Sequence, residues 1–262
     1  MMISRIRLLT LGLLLSLTSL CLATPRDDRD DELAKWAPTK DYYARPFGLV
    51  SFNGMTRTSR YTLEWLDRHS KTRDRGSIKF HKDPDVPNEF GPSPADYAGA
   101  NVAGRPLDIG HQAAYGNHGQ SQDEADSTET LANACPQYAG FNRGKWKSLE
   151  ELNRQQAQRL DVDHLLVFTA PAWIVEADMI HISTIGKHHV WVPTHCIKSV
   201  LIFRTDRSIE ALCWRLPNDP EASASLDEYL VSIDDAEGDL GLDLWPAFSA
   251  DDERRFERRA AK

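Results

Sequence analysis

The chain has 262 residues, 41% hydrophobic and 27% charged, with a net charge of −8 and four cysteines. That length and apolar content suffice for a large domain with its own core, and they exclude a disordered or fibrous protein. The acidic balance excludes a protein that coats a polyanion over its whole surface, so any nucleic-acid contact has to be local.

In chain order, residues 1–23 contain Arg5 and Arg7, an apolar run from Leu8 to Leu22, and Cys21-Leu22-Ala23 as a small-x-small cleavage site. These are the parts of a secretory signal peptide. The expectation is export, secreted or periplasmic, with no membrane association once the leader is removed. Residues 24–46 open with Asp27, Asp28, Arg29, Asp30, Asp31 and Glu32, which have little to bury, and are expected to be a mobile N-terminal segment. The main domain is expected over 47–250, with a charged C-terminal tail over 251–262.

Apolar runs at Phe47–Phe52 and Tyr61–Leu66 flank Asn53-Gly54, a strong turn signal, and predict a first hairpin. Pro84, Pro87, Pro92 and Pro94 exclude a regular element of any length between Asp83 and Gly104. From Asn142 to Leu160, the apolar stripe Trp146, Leu149, Leu152, Ala157 and Leu160 predicts a helix. Leu165–Thr169, Val190–Val192, Ile197–Phe203 and Ile209–Leu216 then predict strands. Strands on both sides of a central helix, without βαβ alternation, point to an α+β protein with a central antiparallel sheet flanked by helices. After the leader, Cys135, Cys196 and Cys213 remain. A turn centred near Asp206-Arg207 sets Cys196 opposite Pro217 rather than Cys213, so no bridge is expected and all three read as small buried residues.

The chemistry concentrates in two short runs, Asp108-Ile109-Gly110-His111 and Asn142-Arg143-Gly144-Lys145-Trp146, with Glu150 eight residues after the asparagine. An imidazole can take a proton from water near neutral pH, while an amide oxygen and a carboxylate suit a hard cation such as Mg²⁺. Asp-x-Gly-His alone is a weak pattern. Here it follows Pro94-Ala95-Asp96-Tyr97-Ala98-Gly99-Ala100-Asn101 and precedes Leu131-Ala132-Asn133-Ala134-Cys135-Pro136-Gln137, then Phe141-Asn142-Arg143-Gly144-Lys145-Trp146 and Leu149-Glu150. That order resembles the DNA/RNA non-specific endonucleases, ββα-metal nucleases whose signature is Asp-Arg-Gly-His.

The resemblance implies a nuclease that cleaves both DNA and RNA and leaves 5′-phosphates. His111 would be the general base and Asn142 the one direct protein ligand of Mg²⁺, with Mn²⁺ as the alternative. Glu150, about 12 Å further along a helix axis and turned by roughly 80°, would act from outside the coordination shell as the second catalytic residue, orienting the ion's waters. Asp108 would hold the strand that aims His111, and Asn133 and Gln137 would tie the following strand to the metal helix. Substrate contacts would come from Arg75 or Arg73, within the basic run Lys71–Lys82, and from Arg105 and Arg143. One position departs from the signature: its arginine is Ile109 here. Arg105 or Arg143 is expected to compensate, and the competing reading is a nucleic-acid-binding protein of the same fold with weakened catalysis. A zinc site built from His181, His188, His189 and His195 matches no strong spacing. Nothing in the sequence sets the oligomeric state.

Overall fold

The computed structural model describes residues 25–174 and 182–256. The leader at 1–23, residue His181 and the tail residues 257–262 lie outside them.

Strands β1 (Tyr43–Arg45), β2 (Gly48–Asn53) and β3 (Thr58–Asp67) follow helix α1 (Pro25–Trp36). After a long proline-rich stretch come α2 (Pro94–Tyr97), β4 (Asn101–Val102), β5 (Arg105–His111), α3 (Gln122–Thr128) and β6 (Ala134–Tyr138). A continuous helical segment is next: α4 (Ala139–Phe141), a wide π turn over Asn142–Trp146, and α5 (Lys147–Ala157). The chain closes with β7 (Val162–Ala172), β8 (Thr184–Ile185), β9 (Val190–Trp191), β10 (His195–Arg204), β11 (Ile209–Pro217), α6 (Ile233–Leu240) and α7 (Ala250–Phe256).

Six strands form one sheet in the order β1-β2-β3-β7-β10-β11, with every neighbouring pair antiparallel. Its centre, β7, is buried along almost its whole length because alternate side chains serve two cores. Leu166, Phe168 and Ala170 face one, with α1, α6 and Trp245; Leu165 and Val167 face the other, with Phe141, Trp146 and Leu149 from the helical segment. The second face also carries Cys135 of the β5–β6 ribbon, so the ribbon and the helical segment stand together on one side of the sheet.

The first hairpin forms where expected. The Asn53 carbonyl accepts from Arg57 N at 2.8 Å and its side chain accepts from Met55 N at 3.0 Å, which closes the turn. Two terminal expectations are corrected. Residues 25–36 are helical rather than mobile, because Leu33 and Trp36, one turn apart, are 1% and 4% exposed and pack on the core; Trp36 meets Phe248 edge-on at 5.2 Å. At the other end, residues 250–256 form α7, whose Phe256 stacks on Phe248 at 5.3 Å.

Leu160 is 92% exposed, beyond the end of α5, so the helix stripe stops at Ala157. Cys196 faces Leu216 rather than Pro217. Arg204 N donates to the Ser208 carbonyl, leaving a three-residue loop with Arg207 at φ +70°, and that loop shifts the register by one residue. All three cysteines are buried and unbridged.

Candidate active site

Strand β5 ends at His111, and its partner β6 runs back and leads into the helical segment that begins just before Asn142. Their pairing sets His111 opposite Ala134 and Asp108 opposite Gln137. Gly110 is required here: a Cβ at this position would lie 2.2 Å from the Gln137 carboxamide, which crosses the ribbon at that point. Across the gap, the Trp146 indole donates to the His111 carbonyl at 3.2 Å. The π turn places one more residue in the first turn than an α-helix would, a distortion common at functional sites.

These elements enclose an open cleft of about 410 Å³ lined by Arg75, Phe80, Asp108, Ile109, His111, Asn142 and Arg143. Asp108 organises one wall. It accepts from Asn142 Nδ2 at 3.0 Å, and from Arg143 Nε at 2.8 Å and Nη2 at 2.7 Å. It therefore fixes the asparagine and the arginine against β5, the strand that ends at His111. With its NH₂ group engaged, Asn142 leaves its side-chain oxygen able to accept a hard cation, and a cleft of this size could hold an ion with most of its water shell. The residues present thus fit a divalent metal held by one protein oxygen. Among the described residues, no three His, Cys, Asp or Glu side chains could together hold a metal. His188 donates its backbone N–H to Asp96, and its ring Nδ1 bonds the same carboxylate, while His195 bonds Thr194, so among the described residues His188, His189 and His195 form no zinc site; His181 lies outside them.

The opposite wall surrounds His111. Its Nε2 lies 3.1 Å from Glu129 Oε1, and Arg75 Nη2 reaches the same oxygen at 2.5 Å. Burial pushes the Glu129 carboxyl up, but the hydrogen bond from His111 and the charges of His111 and Arg75 outweigh it and hold the group below its ordinary value. Phe80 covers the imidazole at 4.6 Å, and the Arg75 guanidinium stacks over Tyr115 at 5.0 Å.

The remaining expected residues lie elsewhere. Arg73 does not line the cleft, and Arg105 is outside it, 3.9 Å from Asp219, so Arg105 is removed as a compensating cation. Asn133 accepts from Ala113 N at 2.8 Å and donates to the Ala113 and Thr128 carbonyls. Gln137 donates to Cys196 Sγ at 3.5 Å. Both are buried and tie the ribbon to its own loop and to β10, not to the helical segment that carries Asn142. Glu150 is not among the cleft-lining residues. Burial pushes its carboxyl up to about 7, opposed by Lys198 and reinforced by Glu64.

Beneath the site lies a buried polar cluster that sequence reasoning missed. Glu64 accepts from Asn117 Nδ2 at 3.1 Å and pairs with His118 Nε2 at 2.8 Å, with the Lys198 ammonium at 3.9 Å. Arg154 reaches Asn117 Oδ1 at 3.0 Å. Its position four residues after Glu150, on the same helix face, was the available signal. Glu129 lies in a run with no motif character and gave none.

The sequence profile of the DNA/RNA non-specific endonuclease family matches residues 37–251. The chain belongs to that family. It is therefore a nuclease, a hydrolase. Over 221 residues it is 31% identical to the mitochondrial Endonuclease G of Bos taurus, covering 80% of this chain and 72% of that protein. It is 32% identical to the mitochondrial Endonuclease G of Caenorhabditis elegans over 208 residues, 75% of this chain and 65% of that one. The solved structure of an EndoG/EndoGI complex, determined for the mechanism of EndoG inhibition, superposes with a TM-score of 0.70 at 26% identity, covering 80% of this chain and 85% of that chain. This agrees with the ββα-metal fold expected from the motifs.

The same relatives overturn the expectation of export, since they are mitochondrial nucleases by name. The physical reason for the misreading is that an acid-free leader carrying arginines and hydroxyl side chains satisfies both kinds of targeting signal; Arg5, Arg7, Thr10 and Ser16 precede the first acidic residue, Asp27. No helix among the described residues is long and apolar enough to cross a membrane.

Proposed function

We propose that this nuclease hydrolyses internal phosphodiester bonds of both DNA and RNA and leaves 5′-phosphate ends, with His111 as general base and Asn142 holding Mg²⁺ or Mn²⁺. The observation that carries this reading is that His111 and Asn142 line one cleft, on walls joined by the Trp146–His111 hydrogen bond.

The imidazole takes a proton from the attacking water as it approaches phosphorus in line with the leaving 3′ oxygen. A divalent cation bound at Asn142 would offset charge developing on the phosphate and the leaving oxygen. Asp108 holds the Asn142 amide in the orientation that presents its oxygen, the supporting role that outer partners take around metal ligands. Glu150, further along the same helical segment and outside the cleft lining, would orient the water shell of a bound ion rather than ligate it directly. Arg143 projects at the cleft rim, its side chain 73% exposed and gripped by Asp108, and supplies the phosphate contact that Ile109 does not. Arg75 adds a second cation on the His111 wall. Local charge thus offsets the acidic whole.

The test is incubation of purified protein with supercoiled plasmid and with total RNA, in Mg²⁺ or in chelator, beside His111→Ala. Degradation of both substrates that needs metal and is lost in the variant supports the reading. Cleavage that survives chelation or the substitution overturns it.

A further inference from the structure

We propose that Glu129 is a positioning residue for the reaction: its carboxylate fixes the imidazole tautomer of His111 and stabilises the imidazolium formed when that ring takes the proton from water. This rests on the reading of His111 as general base.

Glu129 caps the C-terminal end of α3, and its side chain is fully buried, with Oε1 within hydrogen-bond distance of both His111 Nε2 and Arg75 Nη2. An ionised carboxylate only accepts hydrogen bonds, so the imidazole nitrogen 3.1 Å from it carries a hydrogen, while Arg75 Nη2, 3.4 Å from the same nitrogen, turns its own hydrogen to Glu129. Nδ1 is then the nitrogen with a free lone pair, and the proton taken from water goes there while Nε2–H stays in place. The resulting cation forms 3.1 Å from a fixed negative charge, and Glu129 itself takes no proton. Arg75 keeps the carboxylate ionised in its buried setting and Phe80 holds the ring plane. The other charged or titratable groups around the ring are Arg75, Tyr115 at 6.4 Å, and the mutually paired Asp108 and Arg143 on the cleft wall.

Two measurements test this. In the wild-type protein labelled with ¹⁵N-histidine, with His111→Ala used to assign the signal, the His111 spectrum at neutral pH shows hydrogen on Nε2 and a bare Nδ1. Glu129→Gln, which keeps shape and removes charge, lowers kcat on plasmid by about a hundredfold or more. In that variant KM stays within about threefold, because the altered side chain touches the imidazole and not the substrate. Hydrogen on Nδ1 in the wild type, or a folded Glu129→Gln with unchanged kcat, overturns the proposal. If the variant does not fold, the wild-type spectrum decides alone. Undiminished cleavage by His111→Ala would instead overturn the general-base reading, so the two failures are distinct.

Discussion

The indole N–H of Trp146 donates to the backbone carbonyl of His111, which joins the end of β5 to the π turn that begins at Asn142. The two elements are therefore joined by a hydrogen bond between a core side chain and a site backbone, beside those that Asp108 of β5 accepts from Asn142 and Arg143. Trp146 is fully buried, and the Lys198 ammonium lies 4.8 Å from its ring. Trp146→Phe keeps an aromatic face but loses the donor. The expected outcome is a stability loss of about 1–3 kcal/mol in denaturant melts, with kcat falling more than KM rises. A variant equally destabilised but with wild-type kcat would show that the link does not position His111.

Asp108 grips both Asn142 and Arg143. Asp108→Ala releases the asparagine amide to rotate, so the activating metal concentration should rise about 10- to 100-fold. Titration of cleavage rate against Mg²⁺ measures this directly. An unchanged midpoint would mean that the amide is oriented by other means.

The position of Ile109 in the cleft wall, beside Arg143, gives a paired prediction. Arg143→Ala should lower kcat/KM by about 10- to 100-fold, the value of one charge-assisted phosphate contact. Ile109→Arg in that background should recover most of the loss, because it restores a guanidinium on the same wall. Plasmid-cleavage kinetics on the four proteins of the cycle give the coupling. Additive effects would contradict a shared role.

Asp96 predicts a pH dependence of stability. Burial raises its carboxyl, but hydrogen bonds from the Ser93 backbone, the His188 side chain and backbone and the Ser93 hydroxyl overcome this and bring it from 3.8 to about 2. A carboxylate depressed in the folded state contributes stability that is fully present above its unfolded value and is lost as pH falls through the folded one. Thermal melts should therefore show a stability decline between about pH 4 and about pH 2 that Asp96→Asn flattens, with the variant less stable at neutral pH. An acid limb of equal steepness in both proteins would contradict the assignment.

The sequence showed the groups that line the cleft more clearly than their supports. Asp108, His111, Asn142 and Arg143 were legible because each belongs to a short run with chemistry-bearing neighbours, and Arg75 because it sits in a basic cluster beside them. The strands were legible for a different reason: β7, β10 and β11 are apolar or β-branched runs bounded by turns. Helix α1 was not, since only Leu33 and Trp36 mark its buried face within a charged run, and propensity reasoning weighs the charges instead. Arg105 and Arg143 looked equivalent by distance along the chain, yet strand pairing carries one toward Asp219 and helical geometry carries the other to the cleft. Glu129 was hidden for the same reason: its partners, His111 and Arg75, are 18 and 54 residues away in sequence.

The most direct test of a shared cleft is metal-dependent cleavage of one plasmid substrate by the wild type, His111→Ala and Asn142→Ala, each titrated with Mg²⁺. The predicted result is that His111→Ala loses rate by at least about a hundredfold at an unchanged metal midpoint, whereas Asn142→Ala shifts or abolishes the metal response. Wild-type cleavage by either variant, or cleavage by the wild type in chelator, would contradict it.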